Sequence, residues 1–282
     1  MSIITLLTDF GLQDEYVGVM KGVILSIHPR TSIVDITHQV PSQQVSQAAR
    51  VLAAAYPYFP AGTVHVAVVD PGVGTARRII ALQKEDQFFV APDNGLLTFL
   101  CDTRGIRSVI AVENKSFFLS PVSRTFHGRD IMAPVAAHLS KGTPLSRMGP
   151  AISVDQLVRI ETAKPFVSPA GEIEGSIAAV DRFGNLITDI DDGLLSSLTA
   201  DSDGRELRVH VAELSIKGLC EGYQTRKEGI PLALVNSRGQ LEIAVCCGSA
   251  HQRLRAQVGD KVRVSFSGKG AGVRRIGIQE QT

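Results

Sequence analysis

The 282-residue sequence predicts two domains, an α/β N-terminal domain with a mostly parallel sheet and an all-β C-terminal domain. Three observations predict this division. Apolar runs alternate with helical periodicity up to about residue 160, a stretch rich in turn-forming residues follows, and short alternating runs occupy the remainder. We therefore expect an N-terminal domain over residues 1–162, a linker over 163–171 and a C-terminal domain over 172–282.

The predicted N-terminal elements alternate between strand and helix, as in a parallel sheet with crossover helices. Residues 3–8 form a short β-branched apolar run, and apolar residues from 17 to 27 recur at helical spacing until His28-Pro29 ends the pattern. The order continues with a strand at 32–36, a helix from residue 45 to Tyr56-Pro57, a strand at 63–69 and a later helix near 131–139.

The C-terminal half loses helical periodicity after Lys164-Pro165 and Ser168-Pro169-Ala170-Gly171. Short alternating runs follow at 173–180, 207–216, 232–235, 241–245 and 262–266. Gly and Asp turns separate these runs, which is typical of a small β-barrel or sandwich.

The composition bears on partners and location. Lys and Arg (29) nearly balance Asp and Glu (28), so a net charge of +1 gives no electrostatic reason to expect nucleic acid or an anionic membrane surface. We find neither a signal-peptide pattern nor an apolar run long enough to span a bilayer, so we expect a cytoplasmic protein. The cysteines form no CxxC pair, which favours reduced structural thiols over a zinc site; they are Cys101, Cys220, Cys246 and Cys247.

Two acidic residues follow predicted strands of one sheet. Asp9 comes after the strand at 3–8, with Asp14 five residues later, and Asp70 comes after the strand at 63–69 and opens a glycine-containing loop. Ligands of open parallel sheets bind at the carboxyl ends of the strands, so we expect Asp9 and Asp70 to face a ligand. The alternative for each is a helix N-cap.

Three further segments contain chemically versatile residues. His127, in the run 126–130 before a helix, is a candidate general base, water-positioning group or metal ligand, or else a structural histidine. The segments 181–185 and 236–239 are typical of turns. Arg238 in the second turn has the geometry to pair bidentately with a carboxylate.

Taken together, these segments resemble the S-adenosyl-L-methionine (SAM) hydroxide adenosyltransferase family, which is related to the fluorinases and chlorinases. The resemblance runs nearly end to end. It is carried by Thr8-Asp9-Phe10-Gly11 with Asp14, Asp70-Pro71-Gly72-Val73-Gly74-Thr75 with Arg77, Ala91-Pro92-Asp93-Asn94-Gly95, Phe126-His127-Gly128-Arg129-Asp130, Asp181-Arg182-Phe183-Gly184-Asn185 and Asn236-Ser237-Arg238-Gly239.

The resemblance implies hydrolysis of SAM at the ribose 5′ carbon, giving adenosine and methionine without a metal or cofactor. The family's catalytic residues fall on Asp70, Arg77 and His127; the seven-residue spacing from Asp70 selects Arg77 over the adjacent Arg78. It also implies a barrel-like C-terminal domain and a homotrimer. Each active site would lie between one subunit's N-terminal domain and a neighbour's C-terminal domain.

The resemblance also implies ligand contacts. Asp9 is expected at the ribose hydroxyls, Arg238 at the methionine carboxylate and Asn185 at adenine. The group expected around the methionine ammonium consists of Asp14, Asp181 and Ser237. Two departures affect these contacts: Gln43-Gln44 stands where relatives often carry an aromatic residue near the ribose, and Cys246-Cys247 stands where relatives place backbone around adenine.

Three alternatives remain open. A 5′-halogenase needs an uncharged anion pocket, and a carboxylate at Asp70 opposes it. A metal-dependent hydrolase would use carboxylates and histidines at strand ends, which suit Mg²⁺ or Mn²⁺; its candidate ligands are Asp9, Asp14, Asp70, His65 and His127. A third alternative is a module that binds the sulfonium ligand without turnover.

Overall fold

The computed structural model describes residues 2–199 and 206–266, so residues 267–282 of the predicted C-terminal domain lie outside the described residues. The chain divides into two compact units, Met1–Glu161 and Thr162–Thr282. Within the described residues, none of the helices is both long and apolar enough to cross a membrane.

Among its described residues, the first unit contains six strands and four α-helices. The strands are β1 (Ile3–Thr8), β2 (Ser32–Thr37), β3 (Val64–Val68), β4 (Ile79–Lys84), β5 (Gln87–Pro92) and β6 (Ile106–Ala111), and the helices are α1 (Tyr16–Ile27), α2 (Val45–Ala55), α3 (Thr98–Cys101) and α4 (Ala133–Ser140). The predicted strands and helices up to residue 69 are confirmed to within about three residues at each end.

The strands of this unit form one sheet in the order β2-β1-β3-β5-β4-β6. The first four strands in this order are parallel, whereas β4 runs antiparallel to β5 and β6. The sheet is therefore mostly parallel, as predicted. Sequence patterns do not separate the strands β4, β5 and β6. A two-residue turn joins β4 to β5, so the sequence of these two strands resembles one mixed segment.

Helices cover both faces of the sheet, which explains why its central strands are apolar on both sides. On one face Met20 and Ile24 of α1 pack with Val135 of α4 in one apolar cluster. On the other face Ala48 and Leu52 of α2 pack against a second cluster. This double-sided core fixes the carboxyl ends of β1 and β3.

The second unit is an antiparallel, barrel-like sheet. Its strands are β7 (Phe166–Val167), β8 (Ile173–Val180), β9 (Leu186–Asp191), β10 (Leu207–Val211), β11 (Leu214–Lys217), β12 (Pro231–Val235), β13 (Gln240–Val245) and β14 (Lys261–Phe266), with helices α5 (Asp192–Thr199) and α6 (Ala250–Leu254). The strand order is β11-β10-β14-β8-β9-β13-β12, with β7 on β8. The end strands β11 and β12 contact each other, which nearly closes the sheet.

Two details of the second unit differ from the sequence prediction. The run at 207–216 is two strands and not one, because Ala212 adopts a left-handed φ of 47° and the chain reverses into the β10–β11 hairpin. Part of the predicted linker, Phe166–Val167, is the short strand β7.

Candidate active site

A cleft at the carboxyl edge of the first sheet contains three of the predicted residues. The parallel strands β1 and β3 are neighbours, with Thr8 paired to Val68, so the residues that follow them meet at one edge. Asp9 and Asp70 line a cleft of ≈ 380 Å³ there, and His127 lines it as well. The structure thus brings together residues that are far apart in the sequence.

Arg77 joins Asp70 to His127. Its Nε lies 2.9 Å from both Oδ1 and Oδ2 of Asp70, and its Nη2 donates to Oδ2 as well. The same Nη2 lies 2.9 Å from Nδ1 of His127. The side chains of Arg77 and Asp70 are only 11% and 6% exposed, so solvent screens this bidentate pair weakly.

The contact with Arg77 fixes the tautomer of His127. A guanidinium only donates hydrogen bonds, so Nδ1 of His127 accepts and the neutral ring carries its proton on Nε2. Burial and then the positive charge of Arg77 lower the pKa of His127, which keeps the ring neutral at neutral pH. The remaining Nε2–H is a donor, which suits a group that holds an oxygen rather than a general base.

The loop that carries Asp70 and Arg77 packs closely on the loop that carries His127. Gly74 has a left-handed φ of 78°, and a Cβ at this position would collide with the carbonyl oxygen of Arg124. Glycine is therefore required for the close approach that lets Arg77 reach His127.

The segment 91–95 supports the end of β3 rather than the cleft. Arg78, the neighbour of Arg77, pairs with the buried Asp93, whose Oδ2 lies 2.6 Å from Nη2 of Arg78. Asn94 donates from Nδ2 to the carbonyl oxygen of Val69 at 2.8 Å, directly before Asp70. The two adjacent arginines thus have separate partners.

Asp130 organises the segment before His127. It is 1% exposed and accepts hydrogen bonds from the backbone N–H of Ser123 at 2.8 Å and from Nε of Arg129 at 2.6 Å. Burial raises the pKa of Asp130, but these hydrogen bonds outweigh burial and the pKa falls below its usual value. A turn of π-helix from Gly128 to Met132 then continues into α4.

Asp9 is held from the opposite side of the cleft. Its Oδ2 accepts a 2.8 Å hydrogen bond from the backbone N–H of Gln43, which has a left-handed φ of 64° and also lines the cleft. At the position where relatives were expected to stack an aromatic side chain on the ribose, this chain therefore presents backbone to Asp9.

Aromatic rings border the cleft on one side, and Asp14 lies outside it. The rings of Phe10, Tyr16 and Phe126 pack edge-to-face or tilted, with centroids 5.2 to 5.7 Å apart. Asp14 is exposed in the bend before α1 and is not among the residues that line the ≈ 380 Å³ cleft.

The predicted residues of the second unit form two ordered turns. Asp181 lies at the β8–β9 turn, where its Oδ1 accepts the backbone N–H groups of Phe183 and Asn185 at 2.9 and 2.8 Å. Its Oδ2 accepts Nδ2 of Asn185 at 3.0 Å. Gly184 fits tightly against Ser249, where a Cβ would meet Oγ.

The second turn, at 236–239, joins β12 to β13 and exposes Ser237 and Arg238. The backbone N–H of Arg238 donates to Oδ1 of Asn236 at 2.9 Å. Its guanidinium forms no ion pair with any residue in the described part of the chain, so it can accept an anionic partner.

The ligand set for a metal-dependent hydrolase does not assemble among the described residues. They contain no group of three or more His, Cys, Asp and Glu side chains arranged to hold an ion. His65, one of the candidate ligands, is fully buried near the start of β3, about 16 Å along an extended chain from Asp70. The prediction that His65 could be a metal ligand together with Asp70 is therefore wrong.

Sequence reasoning missed several participants. Gln43 entered only as a departure from a family pattern, yet its backbone N–H binds Asp9. Tyr223 and Glu242 were not singled out, although Tyr223 Oη donates to Glu242 Oε1 at 2.8 Å beside the turn of Arg238. A glutamate in an otherwise apolar strand was the available signal for the second pair.

The fold and the cleft define a class of protein: an α/β unit with an Asp–Arg–His cluster at the carboxyl edge of parallel strands, followed by an antiparallel barrel-like unit. The chain belongs to the SAM hydroxide adenosyltransferase family. The model of the family's N-terminal domain matches residues 4–149, and the model of its C-terminal domain matches residues 175–263.

Relatives and solved structures agree with this assignment. The chain is 41% identical to a (R)-S-adenosyl-L-methionine hydrolase from Salinispora tropica, over 93% of this chain and 97% of that protein. It is 30% identical to a fluorinase from an Actinoplanes species, over 86% of this chain and 90% of that protein. A crystal structure of an uncharacterised conserved protein from Thermotoga maritima matches with a TM-score of 0.86 at 41% identity, covering 93% of this chain and 99% of that one.

Proposed function

We propose that this protein hydrolyses SAM at the ribose 5′ carbon, giving adenosine and L-methionine. The observation that carries the proposal is the bonded series from Asp70 through Arg77 to His127, at a cleft of a chain that shares 41% identity with a SAM hydrolase. The carboxylate of Asp70 disfavours the related halide transfer, since it would repel an anion bound beside it.

The reaction needs alignment more than activation. A new bond forms between the water oxygen and C5′ while the C5′–sulfur bond breaks, and its electron pair stays on the neutral thioether of methionine. Because the sulfonium is already a good leaving group, holding the water in line with that bond is worth up to roughly 7–11 kcal/mol. General-base help from a carboxylate adds about 10²–10⁴-fold.

The three residues divide this work by their hydrogen-bonding capacity. His127 donates from Nε2 to the water oxygen, and Asp70 accepts the proton that the water loses. Arg77 holds both side chains and favours hydroxide character at the reacting oxygen. The proton leaves to solvent after the products form.

The remaining predicted residues are proposed to bind the substrate. Asp9 takes the ribose hydroxyls, Asn185 reads adenine and Arg238 pairs with the methionine carboxylate. The proposed group at the methionine ammonium is Asp14, Asp181 and Ser237.

We also propose a cytoplasmic homotrimer in which each site combines the N-terminal domain of one subunit with the C-terminal domain of a neighbour. The cleft residues belong to the first unit and the exposed Arg238 belongs to the second. A site that uses both units can therefore draw them from two different subunits. Sedimentation equilibrium is expected to give three times the chain mass, and a monomer with full activity would contradict the shared site.

The decisive experiment is product analysis after incubation with SAM in ¹⁸O-labelled water. We expect adenosine labelled at its 5′-hydroxyl, together with unlabelled methionine. Methylthioadenosine or S-adenosylhomocysteine as the product would overturn the proposal, and so would a 5′-halogenated nucleoside formed with chloride present.

A further inference from the structure

Glu242 is a buried acidic residue of β13 that the proposed chemistry does not use. It is only 3% exposed, and within the described residues it forms no ion pair. Its Oε1 accepts the hydroxyl of Tyr223 at 2.8 Å, and its Oε2 accepts Nδ2 of Asn236 at 3.1 Å. Burying a carboxylate with neutral partners alone is costly, so this position calls for a specific role.

Asn236 transmits the effect of Glu242 to the turn at 236–239. The Oδ1 of Asn236 accepts the backbone N–H groups of Arg238 at 2.9 Å and Gln240 at 3.2 Å. Because Oε2 of Glu242 accepts from Nδ2 of Asn236, Glu242 selects the amide orientation that turns NH₂ inward and oxygen towards the backbone. With the amide reversed, the backbone N–H groups would lose their acceptor.

We propose that Glu242 is a positioning residue for the turn that presents Ser237 and Arg238, and therefore for the amino-acid end of the substrate. This inference rests on the proposed function, because it assigns the turn to the methionine moiety of SAM. Glu242 acts through Asn236 and does not touch the ligand.

The electrostatics of Tyr223 connect this arrangement to the other turn. Burial of the phenol, the hydrogen bond to Glu242 and the charges of Glu242 and Asp181 raise the pKa of Tyr223 to about 12. The charge of Asp181, in the β8–β9 turn, thus acts on the same phenol that binds Glu242.

The first test separates the two halves of the substrate. In Glu242→Leu no oxygen remains to accept from Nδ2 of Asn236, so this amide loses its partner and no longer holds the turn in place. We expect KM for SAM and the inhibition constant of methionine to rise about tenfold, while kcat and the inhibition constant of adenosine change less than twofold. Tyr223→Phe is the matched control, since it keeps the bond to Asn236, and its KM is expected to rise less than threefold.

The second test reverses the polarity of the pair. In the double variant Asn236→Asp with Glu242→Gln, the carboxylate at 236 accepts from the amide at 242 and still accepts the turn N–H groups. Asn236→Asp alone sets two carboxylates against each other, and we expect it to raise KM more than tenfold. The double variant is expected to return KM to within threefold of wild type, which also covers the case in which Glu242→Leu alone fails to fold.

Failure of the inference and failure of the proposed function give different results. If wild type hydrolyses SAM but Glu242→Leu shifts the adenosine and methionine constants in parallel, or shifts neither, Glu242 does not position the amino-acid end. An unrecovered KM in the double variant has the same meaning. If wild type yields no adenosine from SAM, the proposed function itself fails.

Discussion

Arg77 and Arg78 are adjacent in the chain, yet their guanidinium groups face different carboxylates. Arg77 bonds Asp70 and His127 at the cleft, whereas Arg78 bonds Asp93 beneath it. Successive residues of an extended segment point in opposite directions, which separates a reactive cluster from a structural pair with the same chemistry.

The two arginines provide a matched pair of substitutions. We expect Arg77→Lys to lower kcat about 100-fold, because lysine cannot bridge a carboxylate and an imidazole with a planar fork. Arg78→Lys is expected to leave kcat within threefold and to lower the free energy of unfolding by about 1–2 kcal/mol. Steady-state kinetics and urea unfolding of both variants provide the check, and equal losses of kcat would contradict the separation.

The neutral state of His127 predicts the acid limb of the pH–rate profile. Its pKa lies below the usual 6.5, and the active form is the unprotonated ring that accepts from Arg77. Activity is therefore expected to be constant at neutral pH and to fall as pH drops through this lowered pKa.

Histidine variants assign that limb. His127→Gln is expected to be slow and to lack the limb, whereas His138→Gln retains it, since His138 packs on Phe117 in the core behind the sheet. An unchanged limb in His127→Gln would show that another group titrates.

At the scale of elements, the loop that follows β3 and the loop that precedes α4 must pack closely against each other for the cluster to form. Gly74 makes this contact possible against the backbone of Arg124, whereas Gly62 has a similar φ of 81° but open space around it. Alanine at Gly62 would therefore incur only the free-energy cost of a left-handed backbone. Alanine at Gly74 would also incur the cost of a steric collision.

Alanine substitutions test that separation. Gly62→Ala is expected to lower the free energy of unfolding by about 1 kcal/mol without changing kcat. Gly74→Ala is expected to cost at least about 2 kcal/mol and to lower kcat more than tenfold, because the collision moves Arg77 away from His127. Similar kcat values for the two variants would show that the loop contact is unimportant.

Local patterns predicted β1, β2 and β3 well because each is a short apolar run with a clear breaker. They did not separate β4, β5 and β6, whose pairing depends on contacts distant in sequence. The same limit applies to the site: motif spacing selected Arg77, but the role of the Asn236 amide depends on Glu242, which only the β12–β13 pairing brings beside it.

At the scale of the whole molecule, the interior of the first unit contains a histidine that is neutral in the folded protein. His65 is fully buried. Its Nδ1 forms a 2.8 Å hydrogen bond with Oγ1 of Thr5, and its ring stacks on Phe89 at a centroid distance of 4.9 Å. Burial lowers the pKa of His65 to about 4.

This histidine predicts acid sensitivity of the fold. Between pH 4 and 6.5 the unfolded chain binds a proton at His65 that the folded chain refuses, so stability falls as pH falls through that window. The expected loss is about 3 kcal/mol between about pH 7 and pH 4. Urea unfolding at both pH values is expected to show a smaller loss for His65→Phe, and equal losses for the two proteins would exclude His65 as the cause.

The proposed hydrolysis requires a water held by Asp70, Arg77 and His127 in line with the bond between C5′ and sulfur. A crystal structure of the slow Asp70→Asn variant with bound SAM measures this directly. We expect C5′ in the cleft, with a water about 3–3.5 Å from it, opposite sulfur and within hydrogen-bond distance of His127 Nε2. An adenosyl group bound with its C5′ remote from residues 70 and 127 would contradict the mechanism.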